Sequence, residues 1–176
     1  ESSLIKRGKV FFRTLFVIPS IISITVIGAL FTFIYQPDIG LLNSLLRFLG
    51  FDSLATGWLG NSHTALYAIM AMSQWQYTGY AAMLIIVGIQ RVSPAVLESS
   101  KLDGCGFWQQ ARYIIIPQIK DTITIVIIIT LNWAMQVFNE IQVMTAGGPG
   151  NATQTLGNYM YTAAWSYDKF GYAPAI

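Results

Sequence analysis

The sequence predicts an all-α integral membrane protein, and three observations carry that reading. Of 176 residues, 54% are hydrophobic and only 10% are charged, where soluble domains carry about 25% charged residues. Three stretches hold no charge at all: 14–37, 53–90 apart from a neutral His63, and 122–139. The cationic side chains then divide unevenly between the segments that join these stretches. Lys6, Arg7, Lys9, Arg13, Arg91, Lys101, Arg112 and Lys120 fall on one side, and only Arg47 and Lys169 on the other.

Each span follows from length. A bilayer core of about 30 Å needs about 20 apolar residues at 1.5 Å per residue. The first span is expected over about 10–35, ending at Gln36-Pro37-Asp38, a helix stop. The second covers about 64–90 and is long enough to tilt. The third, about 122–139, is dense in Ile and Val. β-branching does not make it a strand, because in lipid an isolated span must pair its backbone internally. The basic side is cytoplasmic, which puts the N-terminal end and the 91–120 loop inside and 36–63 and 140–170 outside. In the outer loops, 39–51 places Leu41, Leu42, Leu45, Leu46 and Leu49 at helical spacing, and Leu156–Tyr167 carries Tyr159, Tyr161, Trp165 and Tyr167. Both read as helices lying at the outer interface. Between them, 145–155 is a turn cluster. Chain ends at Glu1 and inside the apolar 170–176 point to a single-domain fragment, 1–176, with a last span cut short from about 170.

Composition also excludes functions. Ten Lys+Arg against eight Asp+Glu, a net charge of +2, with no basic run, leave no nucleic-acid surface. One cysteine, Cys105, and one histidine supply neither an internal disulfide nor a metal cluster, and no catalytic set is expected. His63 reads as an interfacial polar residue, Cys105 as a small packing residue, and Glu140 as an interfacial carboxylate.

The 91–120 loop is the informative segment. Ser93-Pro94 is a helix start, with Ser at the N-cap and Pro at the first position. A helix over Pro94–Leu102 should break at Asp103-Gly104, where glycine suits a C-cap. A second helical segment should run from about Phe107 to Ile116 and stop at Pro117. Leu97, Leu102, Phe107 and Trp108 give the tip a mixed surface suited to a partner's cleft.

The run Glu98-Ser99-Ser100-Lys101-Leu102-Asp103-Gly104-Cys105-Gly106-Phe107-Trp108-Gln109-Gln110, closing on Ile114-Ile115-Ile116-Pro117, resembles the Glu-Ala-Ala loop of the membrane subunits of binding-protein-dependent ABC importers. It departs by Ser for both alanines, Cys105 for the alanine after the glycine, and Ile116 for the leucine before Pro117. Phe11-Phe12-Arg13-Thr14-Leu15-Phe16 with Pro19, Pro37-Asp38-Ile39-Gly40-Leu41-Leu42-Asn43, and Val143–Pro149 followed by Thr153-x-Thr155-Leu156 extend the resemblance to the carbohydrate and glycerol-phosphate permeases. It implies the transmembrane fold of a type I ABC importer (the MetI-like permease fold), here as three full spans and a coupling helix. Coupling to the ATPase would rest on Glu98, Ser99, Ser100, Asp103, Gly104 and Pro117. The implied partners are ABC ATPase subunits, a second permease subunit (usually an unlike one in this branch), an extracytoplasmic solute-binding protein and the lipid bilayer. The implied location is the cytoplasmic (inner) membrane of a bacterium or archaeon. The chain has no Gly-x-x-x-x-Gly-Lys-Ser/Thr, so it should bind no cofactor itself, with ATP and Mg held by the partner ATPase.

Polar side chains inside the spans must face other helices or a wet cavity, because an unpaired amide in hydrocarbon is costly. Ser73, Gln74 and Gln76 are such groups, as are Tyr77, Tyr80, Asn132, Trp133 and Gln136. Two readings stand for them. They bond neighbouring helices, or Tyr77, Tyr80, Asn132, Trp133 and Gln136 line a sugar path, rings stacking and amides bonding hydroxyls. Tyr77/Tyr80 and Trp133/Gln136 should each share a helix face. A secondary transporter or channel fragment is the alternative function, and it would call for charges deep within a span.

Overall fold

The computed structural model describes residues 3–176, with side chains from Phe11 onward. Lys6, Arg7 and Lys9 of the basic N-terminal group lie outside the described side chains. Every regular element among the described residues is helical: α1 Ser3–Ile21, α2 Ile24–Ile34, α3 Leu41–Phe48, α4 Ala65–Gln90, α5 Pro94–Leu102, α6 Phe107–Gln110, α7 Ile116–Gln118, α8 Lys120–Met135, α9 Asn139–Met144 and α10 Leu156–Trp165. A π-turn, Ala111–Ile115, joins α6 to α7.

The helix expected over 10–35 is broken in two. Pro19 inside α1 has no N–H for the carbonyl of Leu15 and its ring crowds that carbonyl, and α1 ends two residues later. Ser23 then turns to φ −55°, ψ 133°, and its carbonyl accepts the Ile27 N–H at 3.1 Å to start α2. The helix expected over 122–139 also ends early, at Met135. Here α10 presses on the chain. Gly157 has no Cβ to hold it away from Val137 and Phe138, and Thr155 Oγ1 donates to the Val137 carbonyl at 2.7 Å. That bond gives a non-helical carbonyl a partner, and the chain restarts as α9.

Among the described residues no single helix is long and apolar enough to cross a membrane. Three pairs reach that length and apolarity together across a bend: Phe11–Ile21 with Ile24–Ile34, Ala65–Gln90 with Pro94–Leu102, and Phe107–Gln118 with Lys120–Met135.

The helices gather into two compact units. Among the described residues the first comprises those up to Pro19 with Tyr77–Asn132, the second Ser20–Gln76 and Trp133–Ile176. In the first unit glycines set the helix approach. A Cβ at Gly79 would overlap the carbonyl of Phe16, and one at Gly88 would sit 2.9 Å from the Thr122 side chain. In the second unit the core is Ile27, Tyr35, Ala68, Ile69, Met72, Ile141 and Met144. Gly28 brings α2 against Val143 of α9, where an added methyl would lie 3.2 Å from Val143 Cγ1.

The same unit contains the loop 36–63, organised by buried Asn43 on α3. Its Nδ2 donates to the carbonyls of Pro37 (3.0 Å) and Thr56 (2.9 Å), and its Oδ1 accepts from Trp58 Nε1 at 2.7 Å. The helix spans less than the expected 39–51, starting after Gly40 and stopping before Gly50 at φ +81°. Leu42 and Leu46 are half-buried, while Leu41, Leu45 and Leu49 are exposed.

Candidate functional site

The 91–120 loop is built within the first unit. At the end of α4 the N–H groups of Arg91 and Val92 bond the carbonyls of Gly88 and Ile89, each at 3.1 Å. Ser93 is held extended (φ −60°, ψ 127°) because the residue before a proline avoids the helical region. Its side chain makes no capping bond, so Pro94 fixes this helix start, and not the serine hydroxyl. The chain turns 75° from α4 into α5. Thr64 through Pro117 is therefore not one continuous helix.

The far end of α5 is a Schellman motif. Gly104 takes φ +81°. The Gly104 N–H bonds the Lys101 carbonyl (3.1 Å) and the Cys105 N–H bonds the Ser100 carbonyl (2.9 Å). After it, Gln109 Oε1 accepts the Gly106 N–H at 2.8 Å and caps α6. Pro117 does not stop the helix as expected. The π-turn moves the pairing by one residue, with the Ile116 N–H reaching the Ala111 carbonyl, and so absorbs the missing donor of Pro117. The break comes instead at Ile119, where the chain bends 73° into α8.

The expected coupling residues divide between surface and interior. Glu98, Ser99, Asp103 and Gly104 are exposed on one short stretch. Beside them stand Leu102, Phe107 and Trp108, 89%, 74% and 81% exposed, the two rings edge-to-face at 5.5 Å. Ser100, expected on that surface, is only 4% exposed, because α6 folds back over it. Gln110, which closes the Glu98–Gln110 run but is not among the expected coupling residues, is 8% exposed. Its Nε2 donates to Ser100 Oγ at 2.8 Å and to the Leu97 carbonyl at 3.1 Å. The pattern Gly106-x-x-Gln109 could have marked the start of α6, but nothing in the sequence marks Gln110.

Of the expected path residues, three lie in the first unit, Tyr77 and Tyr80 on α4 and Asn132 on α8, and two in the second, Trp133 and Gln136. Tyr77 and Tyr80 lie three residues apart on one helix. Gln136 lies just past the end of α8, its N–H bonded to the Trp133 carbonyl at 3.0 Å. Gln76 is buried and holds the break between α1 and α2, donating from Nε2 to the Ile22 carbonyl at 3.0 Å. Glu140, expected at the interface, is buried in the first turn of α9. His63 is exposed, its N–H bonded to Asn61 Oδ1 at 2.9 Å, and Cys105 is a half-buried free thiol.

A family model described as the binding-protein-dependent transport system inner membrane component matches residues 4–176. The chain belongs to that family. Over 176 residues this family member is 45% identical to a probable ABC transporter permease protein, YurN, of Bacillus subtilis, covering 100% of this chain and 60% of YurN. It is 33% identical over 172 residues to the diacetylchitobiose uptake system permease protein NgcF of Streptomyces coelicolor, covering 97% of this chain and 49% of NgcF. It thus spans about half to three-fifths of the curated relatives it matches. In fold it resembles a chain of a bacterial ABC transporter involved in the import of the acidic polysaccharide alginate. The TM-score is 0.86 at 24% identity, over 99% of this chain and 60% of that one. The chain resembles to the same degree, TM-score 0.86 at 24% identity over 99% of this chain and 60% of that one, a chain of a bacterial alginate ABC transporter in complex with alginate pentasaccharide-bound periplasmic protein.

Proposed function

We propose that this chain is the greater part of a permease subunit of an ATP-driven importer for carbohydrates, and that the α5–α6 element couples it to a separate ATPase subunit. The observation that carries the reading is the build of that element in a member of this family. A nine-residue helix, α5, turned 75° from α4, closes through a Schellman turn and presents Glu98, Asp103, Leu102, Phe107 and Trp108 outward together. Exposed aromatic and aliphatic groups ringed by charge suit docking into a protein cleft. Closure of the ATPase dimer on ATP would move α5, and α4 and α8 would carry that motion to the solute path.

In this reading α1 with α2, α4 and α8 lie in the inner membrane, α5 and α6 stand at its cytoplasmic side, and a second permease subunit completes the path. The carbohydrate class is supported by the diacetylchitobiose permease among the relatives, and a docking solute-binding protein by the alginate transporter. Tyr77, Tyr80, Asn132, Trp133 and Gln136 are proposed for the path. ATP and Mg belong to the partner, and this subunit performs no chemistry.

The test is reconstitution of the full-length permease with its second permease, ATPase and binding protein in vesicles. Uptake should require ATP and all four components, and Glu98→Lys should abolish co-purification of the ATPase. Trp133→Ala should lower uptake more than ATP hydrolysis. Uptake by the permease without ATP would favour a secondary transporter and overturn the reading.

A further inference from the structure

We propose that Gln110 is the positioning residue of the coupling element, a cross-brace that makes α5 and α6 turn as one body. The inference rests on the coupling role proposed above. Apart from the brace, α5 and the four-residue α6 are joined by the short Asp103–Gly106 backbone, which includes glycines at 104 and 106. Helices this short have little stability of their own. Without the brace, a force on α5 would be absorbed as rotation at Gly104 and would not reach α8.

The bonds close a triangle. Ser100 Oγ gives its hydrogen to the Leu97 carbonyl at 2.9 Å and is left with lone pairs. Gln110 Nε2 fills them with one hydrogen and sends the other to the same Leu97 carbonyl. The triangle is shielded from water, where such bonds are stronger than at the surface. It depends on serine at position 100, where the resembled loop has alanine, and on glutamine at 110. Gln110→Leu keeps the volume, removes both bonds between the helices, and leaves Ser100 bonded to Leu97. It therefore tests rigidity without emptying the core.

The experiment uses the full-length permease assembled with its ATPase, second permease and binding protein in vesicles, fed the solute that the binding protein carries. Solute moved per ATP hydrolysed is measured for Gln110→Leu, Ser100→Ala and Ser100→Thr, with Glu98→Lys alongside. Gln110→Leu should keep the ATPase bound and hydrolysing, yet lower solute per ATP about fivefold, the order expected for losing a buried hydrogen-bonded link. Half-saturation by the binding protein should not change. Ser100→Ala should cost less, and Ser100→Thr, which keeps the hydroxyl, should restore what alanine loses. Hydrogen exchange at Cys105 and over 107–110 should quicken in Gln110→Leu. Unchanged solute per ATP, or loss of the ATPase from Gln110→Leu, overturns the brace. If Glu98→Lys also keeps both docking and uptake, the coupling role itself has failed. If Glu98→Lys fails while Gln110→Leu transports normally, only the brace has failed.

Discussion

Gln76 donates from its side-chain amide to the carbonyl of Ile22, 54 residues away, at 3.0 Å. Ile22 stands where α1 has ended and α2 has not begun, so its carbonyl lacks a helical partner. A glutamine that is only 1% exposed on α4 supplies one. The other end of that amide is unmet: Gln76 Oε1 is buried with no donor among the described residues.

That asymmetry sets the ranking of two variants. Gln76→Leu strips Ile22 of its donor but also removes the unmet acceptor, so the two effects offset and the net loss should be about 1 kcal/mol or less. Gln76→Glu sets a carboxylate against a carbonyl in a buried site and should cost several kcal/mol. Thermal unfolding of the full-length permease in detergent measures both. Equal melting points for the two variants would show that the amide does not hold this break.

The break itself could not be read from the residues. Ile21-Ile22-Ser23-Ile24 is apolar enough for one helix or two, and hydropathy does not distinguish them. The signal present was Pro19, but a proline in a long apolar stretch can kink a helix without ending it. Pro117 misled in the opposite direction, because a π-turn let the helix run past it. Pro94 and Gly104 were legible because each acts through its own backbone: one has no N–H to spare, the other reaches positive φ. Gln110 and Asn43 were not legible as framework residues. A lone amide reads as surface until tertiary folding brings carbonyls to it. The early end of α8 has the same origin, since Thr155 and Gly157 act on Val137 and Phe138 from a distant helix.

Asn43 supports a direct prediction. Its side chain holds the Pro37 and Thr56 carbonyls and the Trp58 indole N–H. Asn43→Ala leaves all three without that partner, at about 1–3 kcal/mol for each group left buried and unpaired. Limited proteolysis should then cut within 36–63 at protease levels that spare the wild type, and Trp58 emission should shift to the red. Retained protection would mean that α3 is held by its leucines and not by the amide.

At Gly79 the issue is space. A Cβ there would overlap the Phe16 carbonyl, which belongs to backbone and cannot swing aside. Gly79→Ala should force α1 from α4 and cost about 1–3 kcal/mol, in the range of overpacked cores. Gly171→Ala is the matched control, since nothing lies within 4 Å of an added methyl there. The comparison is the melting point and yield of the two variants. Similar values would deny the close approach of the two helices.

Gly104 isolates the backbone from packing altogether. No atom lies within 4 Å of an added Cβ, yet φ is +81°. Any penalty on substitution must therefore come from conformation. Asparagine tolerates the left-handed region, alanine loses about 1–2 kcal/mol there, and a β-branched residue loses more. The turn carries two bonds, Gly104 to Lys101 and Cys105 to Ser100, and both open if the residue relaxes to negative φ. Solute uptake by the reconstituted transporter should thus fall in the order Gly104→Asn, Gly104→Ala, Gly104→Val, with protein yield unchanged because the site is exposed. Exchange of the Cys105 amide should quicken in the same order. Full activity in Gly104→Val would show that the turn transmits nothing, because a strained or opened hinge at that position could not pass motion from α5 to α6.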